Sequence, residues 1–350
     1  MAGTMDVVFL SSVQAPMNPI TENKMNFIEN GIFTIASDDD FLKYCKEIYF
    51  FQSSQNQIYQ KWTNLFKGVD KQPENFVDFP FLSISLFKNQ QVVSANTFEA
   101  TFTSSSTTGK GVSSHFVHKL NLYERSFLEG FNAFYQDYRN YKIFALLPNY
   151  LERAGSSLVY MANHMIQNSN LGGGFYLYDF EQLLNDIQAS LKKNEPVLLL
   201  GVTFALLDFA EFAKNQSFQN CIIMETGGMK GRGAEPTRAE LHQTLCNAFN
   251  VNEIHSEYGM TELLSQAYSK GNGRFFCPPW MKILVQDAAD PGNWMPNGKT
   301  GRICIIDLAN IYSCSFIATD DLGKVYDDGS FEILGRLDFS DMRGCSQLAL

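Results

Sequence analysis

The stretch Pro196-Val197-Leu198-Leu199-Leu200-Gly201, followed by Val202-Thr203-Phe204-Ala205-Leu206-Leu207, decides the fold class. The apolar run bounded by Pro and Gly reads as a strand, and residues 203–214 read as a helix. The same couple recurs on both sides. Upstream, Tyr141 to Leu147 reads as a strand and Ser157 to Gln167 as a helix, then Phe175 to Tyr178 as a strand and 180–192 as a helix. Downstream, Cys221 to Met224 reads as a strand, 236–249 as a helix and Glu253 to His255 as a short strand. Strands alternating with helices of this length imply βαβ units and an α/β fold with a mainly parallel sheet. Such sheets take ligands in the loops at the carboxyl ends of their strands.

Nearer the N-terminus, Asp38, Asp39 and Asp40 suit a helix start, and Phe41, Tyr44, Cys45, Ile48 and Phe51 carry a helical period that predicts one helix over 38–67. A second helix is predicted over 119–139. Between them Ser94 to Phe102 alternates like a strand. After residue 270 helical periodicity fades and short strand-like runs appear at Trp280 to Val285, Arg302 to Leu308 and Phe331 to Leu334. The expected organisation is an α/β region over 1–270 and a β-rich subdomain over 271–350.

The bulk numbers exclude several classes. The chain has 350 residues, 45% hydrophobic and 14% aromatic with 30 Phe, which is enough for a sizeable core. A formal net charge of -10 without a basic cluster argues against a nucleic-acid partner. No run of about eighteen apolar residues is present, so no membrane span is expected. The N-terminus lacks a basic stretch leading into an apolar one, so no secretory signal is read. The seven cysteines are scattered without a CxxC pair, as expected of free thiols in a reducing cytoplasm.

Four loops carry chemistry. Thr103-Ser104-Ser105-Ser106-Thr107-Thr108-Gly109-Lys110 sets six hydroxyls before Gly-Lys, directly after a predicted strand. Hydroxyls and free N–H groups on such a turn can wrap phosphate oxygens. Glu225-Thr226-Gly227-Gly228-Met229-Lys230-Gly231-Arg232-Gly233 follows the strand 221–224; its glycines allow close approach of a flat ligand or a phosphate. Lys230 and Arg232 read either as phosphate ligands or as exposed charge. Ser256-Glu257-Tyr258-Gly259-Met260-Thr261-Glu262 joins an aromatic, a hydroxyl and two carboxylates, one of which, Glu262, suits a hard cation such as Mg²⁺. Ala318-Thr319-Asp320-Asp321-Leu322-Gly323 precedes a probable hairpin turn at Asp327-Asp328-Gly329 and then Gly335-Arg336-Leu337-Asp338. It reads either as an acidic turn or as a carboxylate for a ribose diol.

In this order the four loops resemble the adenylate-forming superfamily of acyl-CoA synthetases, luciferases and peptide-synthetase adenylation domains, over about residues 95–345. The resemblance implies that family's large domain of sheets flanked by helices. It makes residues 103–110 the phosphate loop, with Ser106 where the family has glycine. Thr226-Gly227-Gly228 becomes the adenine-side segment. Tyr258 packs on adenine beside Gly259, Thr261 and Glu262 complete the Tyr-Gly-x-Thr-Glu motif, and Glu262 serves Mg²⁺. Thr319-Asp320-Asp321-Leu322 matches Thr-Gly-Asp-Leu, with Asp321 toward the ribose and Asp320 in place of glycine. Arg336 of Gly-Arg-x-Asp reaches the ribose or phosphate. The implied cofactors are ATP and Mg²⁺.

Typical members continue into a small domain with a catalytic lysine, which is expected to be absent here. Arg343-Gly344-Cys345-Ser346 and the segment Pro148 to Arg153 look like the acyl-protein synthetases of the bacterial luminescence fatty-acid reductase complex (LuxE-type), in which a cysteine near the end takes the acyl group. A thiol is a good acyl acceptor, and Arg343 favours its thiolate. The implied activity is ATP-dependent activation of a carboxylic, expectedly fatty, acid and its transfer to Cys345, then to an acceptor such as a reductase. Transfer to coenzyme A, as in phenylacetate-CoA ligase-like enzymes, and a catalytically silent nucleotide-binding protein are the alternatives. His115 and His118 read as substrate contacts or as surface and helix-start residues; His164 reads as structural. Gly201-Val202-Thr203-Phe204 reads as acyl-pocket lining or as core.

Overall fold

The computed structural model describes residues 22–65, 72–104, 111–148, 155–214, 216–228 and 236–337. Three helices open it: α1 (Glu22–Gly31), α2 (Asp38–Gln55) and α3 (Gln57–Thr63). A short strand β1 (Leu82–Ser83) and the hairpin β2 (Ala100–Thr103) and β3 (Ser114–Val117) lead to α4 (Leu120–Tyr135). The alternation follows: β4 (Lys142–Leu146), α5 (Ser157–Asn168), β5 (Gly173–Tyr176), α6 (Phe180–Lys192), β6 (Val197–Val202), α7 (Thr203–Phe212), β7 (Cys221–Thr226), α8 (Arg238–Phe249), β8 (His255–Tyr258) and β9 (Ala267–Ser269). Four longer strands close the chain: β10 (Met281–Gln286), β11 (Gly301–Asp307), β12 (Phe316–Val325) and β13 (Phe331–Arg336).

The expected α/β fold is present. The six-stranded sheet runs β5-β4-β6-β7-β8-β9, parallel through β8 and antiparallel at β9. Every residue of β6 is buried, as a parallel strand covered on both faces requires. The helices pack in two groups, α5 with α4 and α6 with α7 and α8. Ring contacts bear this out: Tyr160 of α5 stacks with Tyr123 of α4 at 6.0 Å, while Phe209 of α7 meets Phe180 of α6 at 5.7 Å and Phe249 of α8 at 5.7 Å.

The second sheet is antiparallel across β10, β11, β12 and β13, and β1 joins β12 in parallel at Leu82↔Ile317. Its floor is an aromatic cluster in which Phe316 stacks on Phe79 at 4.7 Å and on Tyr59 at 6.1 Å.

Several predicted elements are redrawn. The single helix expected over 38–67 breaks at Asn56. Its Oδ1 caps α3 by accepting from the Ile58 and Tyr59 amides at 3.0 and 3.1 Å, and its Nδ2 donates to the Ser313 carbonyl at 2.9 Å. The strand expected over 94–102 forms only from Ala100, because its partner β3 spans only Ser114–Val117. Tyr258 lies in β8 rather than in the loop after it. Asp320 and Asp321 lie inside β12, not in an acidic turn, while the hairpin turn falls where it was expected, at Asp327-Asp328-Gly329, with Gly329 at φ 79°. Among the described residues no helix is long and apolar enough to cross a membrane.

The connection from β11 to β12 is buried and polar. Asp307, fully buried, accepts from the amides of Leu264, Ser265 and Ala309 at 2.8, 3.0 and 3.1 Å and from the Ser265 hydroxyl at 2.5 Å. An Asp307→Ala protein leaves these donors without an acceptor and should lose roughly 3 kcal/mol of stability. Urea unfolding checks this; a midpoint unchanged from wild type would show that the clamp is dispensable.

Candidate active site

Described residues of all four sequence loops meet around the Tyr-Gly segment. Tyr258 ends β8 and packs its ring against Phe275 and Phe331, 5.9 and 5.5 Å between centroids. Its hydroxyl donates to Asp321 Oδ2 at 2.8 Å. Arg336, the cross-strand partner of Asp321, donates from Nε to Oδ1 at 3.2 Å, with its side chain 81% exposed. So exposed an ion pair adds little to stability. Its guanidinium is instead a charge on a wet edge beside a buried carboxylate. Burial raises the Tyr258 phenol far above its usual range, so it stays a neutral donor. Thr319 buttresses Asp321: its Oγ1 accepts from the Asp321 amide at 3.1 Å and donates to the Ile303 carbonyl at 2.8 Å. Asp320 turns the other way, 3.6 Å from Arg302 Nη2.

Glu262 is buried at the neck of the hydroxyl loop. The neck is closed by the Ser104 amide donating to the Ser113 carbonyl at 3.0 Å and the Ser113 amide to Ser104 Oγ at 2.9 Å. Burial raises the Glu262 carboxyl; the Ser113 hydroxyl bonded to it and the charges of Arg336 and Lys88 oppose that rise. Thr103 stands at the base of the same hairpin, and its amide donates to the Gly155 carbonyl at 2.7 Å. Gly155 has φ 91°, and a Cβ there would lie 3.1 Å from Thr103 Oγ1. Ser105, Ser106, Thr107, Thr108, Gly109 and Lys110 lie outside the described residues, as do Lys230, Arg232 and Cys345.

Thr226 ends β7, and Gly227 and Gly228 follow it. The Thr226 hydroxyl donates to the Glu257 carboxylate, Gly227 has φ 68°, and Thr203 Oγ1 donates to the Gly227 carbonyl at 3.4 Å. Gly259 is explained by the same carboxylate, since a Cβ there would collide with Glu257 Oε1. Glu257 therefore ties the Thr-Gly-Gly segment to the Tyr-Gly segment, a role the sequence does not assign. Its one signal is an acid inside a strand that is otherwise buried. On the other face, Glu225 pairs with Arg238 and lies 3.6 Å from His242 Nε2. Burial pushes its carboxyl up, but these partners outweigh that and hold it below the usual range.

Of the histidines, only His115 departs from expectation. His115 is neither a surface residue nor a helix start; it is fully buried in β3, bonded to Thr261 and in contact with Asn310. His118 bonds to the Thr97 carbonyl at 2.6 Å. His164 lies in α5, 3.5 Å from Glu124 and against Phe127, as a structural residue. Val202 and Phe204 are core. Burial pushes the thiols of Cys221, Cys304 and Cys314 up to about 12, so none of these is a ready thiolate. Among the described residues no three His, Cys, Asp or Glu side chains gather as a metal cage. Glu262 with hydroxyl oxygens beside it matches Mg²⁺ in another way, since that ion takes one or two carboxylates plus substrate phosphates.

Glu257 has a pH consequence. Burial, with the charge of Glu225, raises its carboxyl from 4.5 to about 7, against the Thr226 bond that lowers it. The folded state thus holds the proton more tightly than the unfolded chain. Its contribution is present below pH 4.5 and is lost as pH rises toward about 7. Glu257→Gln removes this loss, so its unfolding midpoint relative to wild type should rise between pH 5 and pH 8, by about 2 kcal/mol in free energy. A constant difference across that range would place the titration elsewhere.

The family model described as acyl-protein synthetase, LuxE, matches residues 158–349, more than half of the chain. No curated protein sequence matches. Among solved structures, ATP-bound MatB from Rhodopseudomonas palustris superposes with a TM-score of 0.54 at 16% identity, covering 71% of this chain and 49% of that one. The chain thus spans about half the length of that enzyme. An open conformation of 2-hydroxyisobutyryl-CoA ligase, in complex with 2-HIB-AMP and CoA, gives 0.64 at 11% identity, covering 86% and 70%. At these identities the likeness shows the shared fold. With a family model spanning its parallel sheet beyond β4 and its second sheet, the chain belongs to the LuxE family of acyl-protein synthetases.

Proposed function

We propose that this protein activates a carboxylic acid with ATP as an acyl-adenylate and passes the acyl group to a thiol. One observation carries the reading: Glu262 sits at the neck of a hydroxyl-rich loop, in the same site as the Tyr258–Asp321–Arg336 cluster. Loop, carboxylate and cluster are the parts needed to hold a triphosphate, a divalent cation and a ribose together. In this reading the hydroxyls of 103–108, with Gly109 and Lys110, cradle the phosphates. Asp321 accepts from the ribose diol, Tyr258 with Gly227 and Gly228 flanks adenine, and Arg336 offsets phosphate charge. Mg²⁺ bound at Glu262 would supply charge neutralisation at the phosphate oxygens.

The substrate carboxylate attacks the α-phosphorus and pyrophosphate leaves. The protein's contribution is positioning and fixed dipoles. The Cys345 thiolate then attacks the acyl carbon, AMP leaves, and a thioester remains for an acceptor protein such as a reductase. Family membership supports a protein thiol as acceptor. MatB and 2-hydroxyisobutyryl-CoA ligase, the latter solved with CoA, keep coenzyme A as the second reading. A fatty acid is the substrate class most in keeping with the family, and the cytoplasm the compartment in keeping with unpaired thiols.

Carboxylate-dependent exchange between pyrophosphate and ATP is expected. It should fall about a hundredfold in Glu262→Gln, and the ATP KM should rise about tenfold in Asp321→Ala. Absence of exchange with any acid from short to long chain would leave a nucleotide-binding protein without this chemistry. Incubation with radioactive fatty acid and ATP should label wild type and not Cys345→Ala. Label that survives the substitution excludes Cys345 as acceptor, and release to added coenzyme A favours the second reading.

A further inference from the structure

We infer that His115 is a positioning residue that couples the hydroxyl-loop hairpin to the carboxylate of Glu262. The inference rests on the nucleotide reading of the site for its consequence, but its mechanical part stands on geometry alone. His115 is the second residue beyond the neck of the loop at Ser113, fully buried on β3 opposite Phe102. Its Nδ1 lies 2.8 Å from the carbonyl of Thr261, and its Nε2 lies 3.1 Å from Asn310 Oδ1. Asn310 passes the contact on, its Nδ2 donating to the carbonyl of Glu262 at 2.8 Å. One ring thereby reaches the backbone of both residues that end the Tyr-Gly-x-Thr-Glu motif. Ser113, two residues earlier and just before the strand, holds the Glu262 side chain.

The far end of the strut is rigid. The Asn310 amide donates to the Asp307 carbonyl at 3.1 Å, and the Asn310 carbonyl accepts from Gln52 Nε2 at 2.9 Å. Phe87 meets the His115 ring edge-on at 5.9 Å and 89°. Burial pushes the imidazolium down to about 4, so the ring is neutral near pH 7 and only one nitrogen carries hydrogen. The Thr261 carbonyl and Asn310 Oδ1 both only accept, so one hydrogen serves one of them: the shorter contact takes it, Nδ1 donates to Thr261, and Nε2 meets Asn310 by packing rather than by a hydrogen bond. A neutral, fully enclosed ring is a poor proton carrier. What it does well is fix a distance. In the nucleotide reading, the spacing between the hairpin neck and Glu262 would set that between phosphate and metal ligand, where about 1 Å of slack costs up to a hundredfold in rate.

The test compares His115→Asn, whose amide can overlay Nδ1 and still donate to Thr261, with His115→Phe, which keeps a ring and no donor. Hydrogen exchange in the ligand-free protein is the first readout. In His115→Phe the amides of 259–266 should exchange about tenfold faster, with the β6 and β7 amides unchanged; His115→Asn should stay near wild type. The second readout is pyrophosphate exchange against Mg²⁺ concentration. In His115→Phe the half-activating Mg²⁺ should rise about tenfold while the acid KM holds, and His115→Asn should recover most of the loss. Unchanged protection of 259–266 in His115→Phe overturns the strut. Equal slowing in both variants, or slower turnover in proportion to lost folded protein, reduces His115 to a packing residue. If wild type shows no pyrophosphate exchange, the adenylation reading falls and the strut is judged on hydrogen exchange alone.

Discussion

Everything near the site hangs on the need to satisfy the buried connection from Asp307 to Ser315. A turn with that much enclosed backbone is stable only if each polar group finds a partner. The partners come from three distant parts of the chain. Gln52 of α2 donates to the carbonyls of Asn310 and Ile311 and accepts from the Ser315 amide. Asn56 donates to the Ser313 carbonyl, and Ser313 in turn donates to the Val92 carbonyl. Asp307 and Asn310 reach forward to the segment 262–265. One connection thus holds the N-terminal helices, the second sheet and the loop after β8 in register. Its cost is the desolvation of a carboxylate and three amides, offset only because nearly all of their hydrogen-bonding capacity is used.

The candidate site follows from that register. Tyr258 belongs to the parallel sheet, whereas Asp321 and Arg336 belong to the antiparallel one. A phenol, a carboxylate and a guanidinium from two sheets share hydrogen bonds at the carboxyl end of β8, where parallel sheets present their loops to ligands. Buried acids then divide by environment. Glu225 is paired with a cation and stays ionised, and Glu257, with only a hydroxyl for company, is pushed toward neutrality. The two face opposite sides of the sheet on adjacent strands, so one site keeps a fixed charge behind it and a titratable group within it.

The alternation of apolar runs and amphipathic segments was legible at once, and α6 begins and ends at the predicted residues 180 and 192. The motifs were legible because glycines, hydroxyls and acids cluster after strand-like runs. Asn56 was not read as a helix break, since helical spacing of Phe41, Tyr44 and Ile48 continues past it and only a capping bond reveals the stop. Asp320-Asp321 read either as an acidic turn or as a ribose ligand, and its place inside a strand was not read because acids are rare there. They are tolerated there because Arg302 and Arg336 lie alongside. The partners of His115 and Glu257 were not legible, for they lie 146 and 31 residues away.

The sequence alone therefore determined the βαβ order, the positions of the nucleotide-type loops and the family they resemble. These depend on local periodicity and on residue chemistry at short spacing, which survive in a linear string. The tertiary structure decided which side chains meet: Tyr258 with Asp321 and Arg336, Glu262 with the neck of the hairpin, His115 with the backbone of Thr261. Such pairings are set by sheet order and by the partners a buried backbone demands, and neither is written in any one stretch of chain.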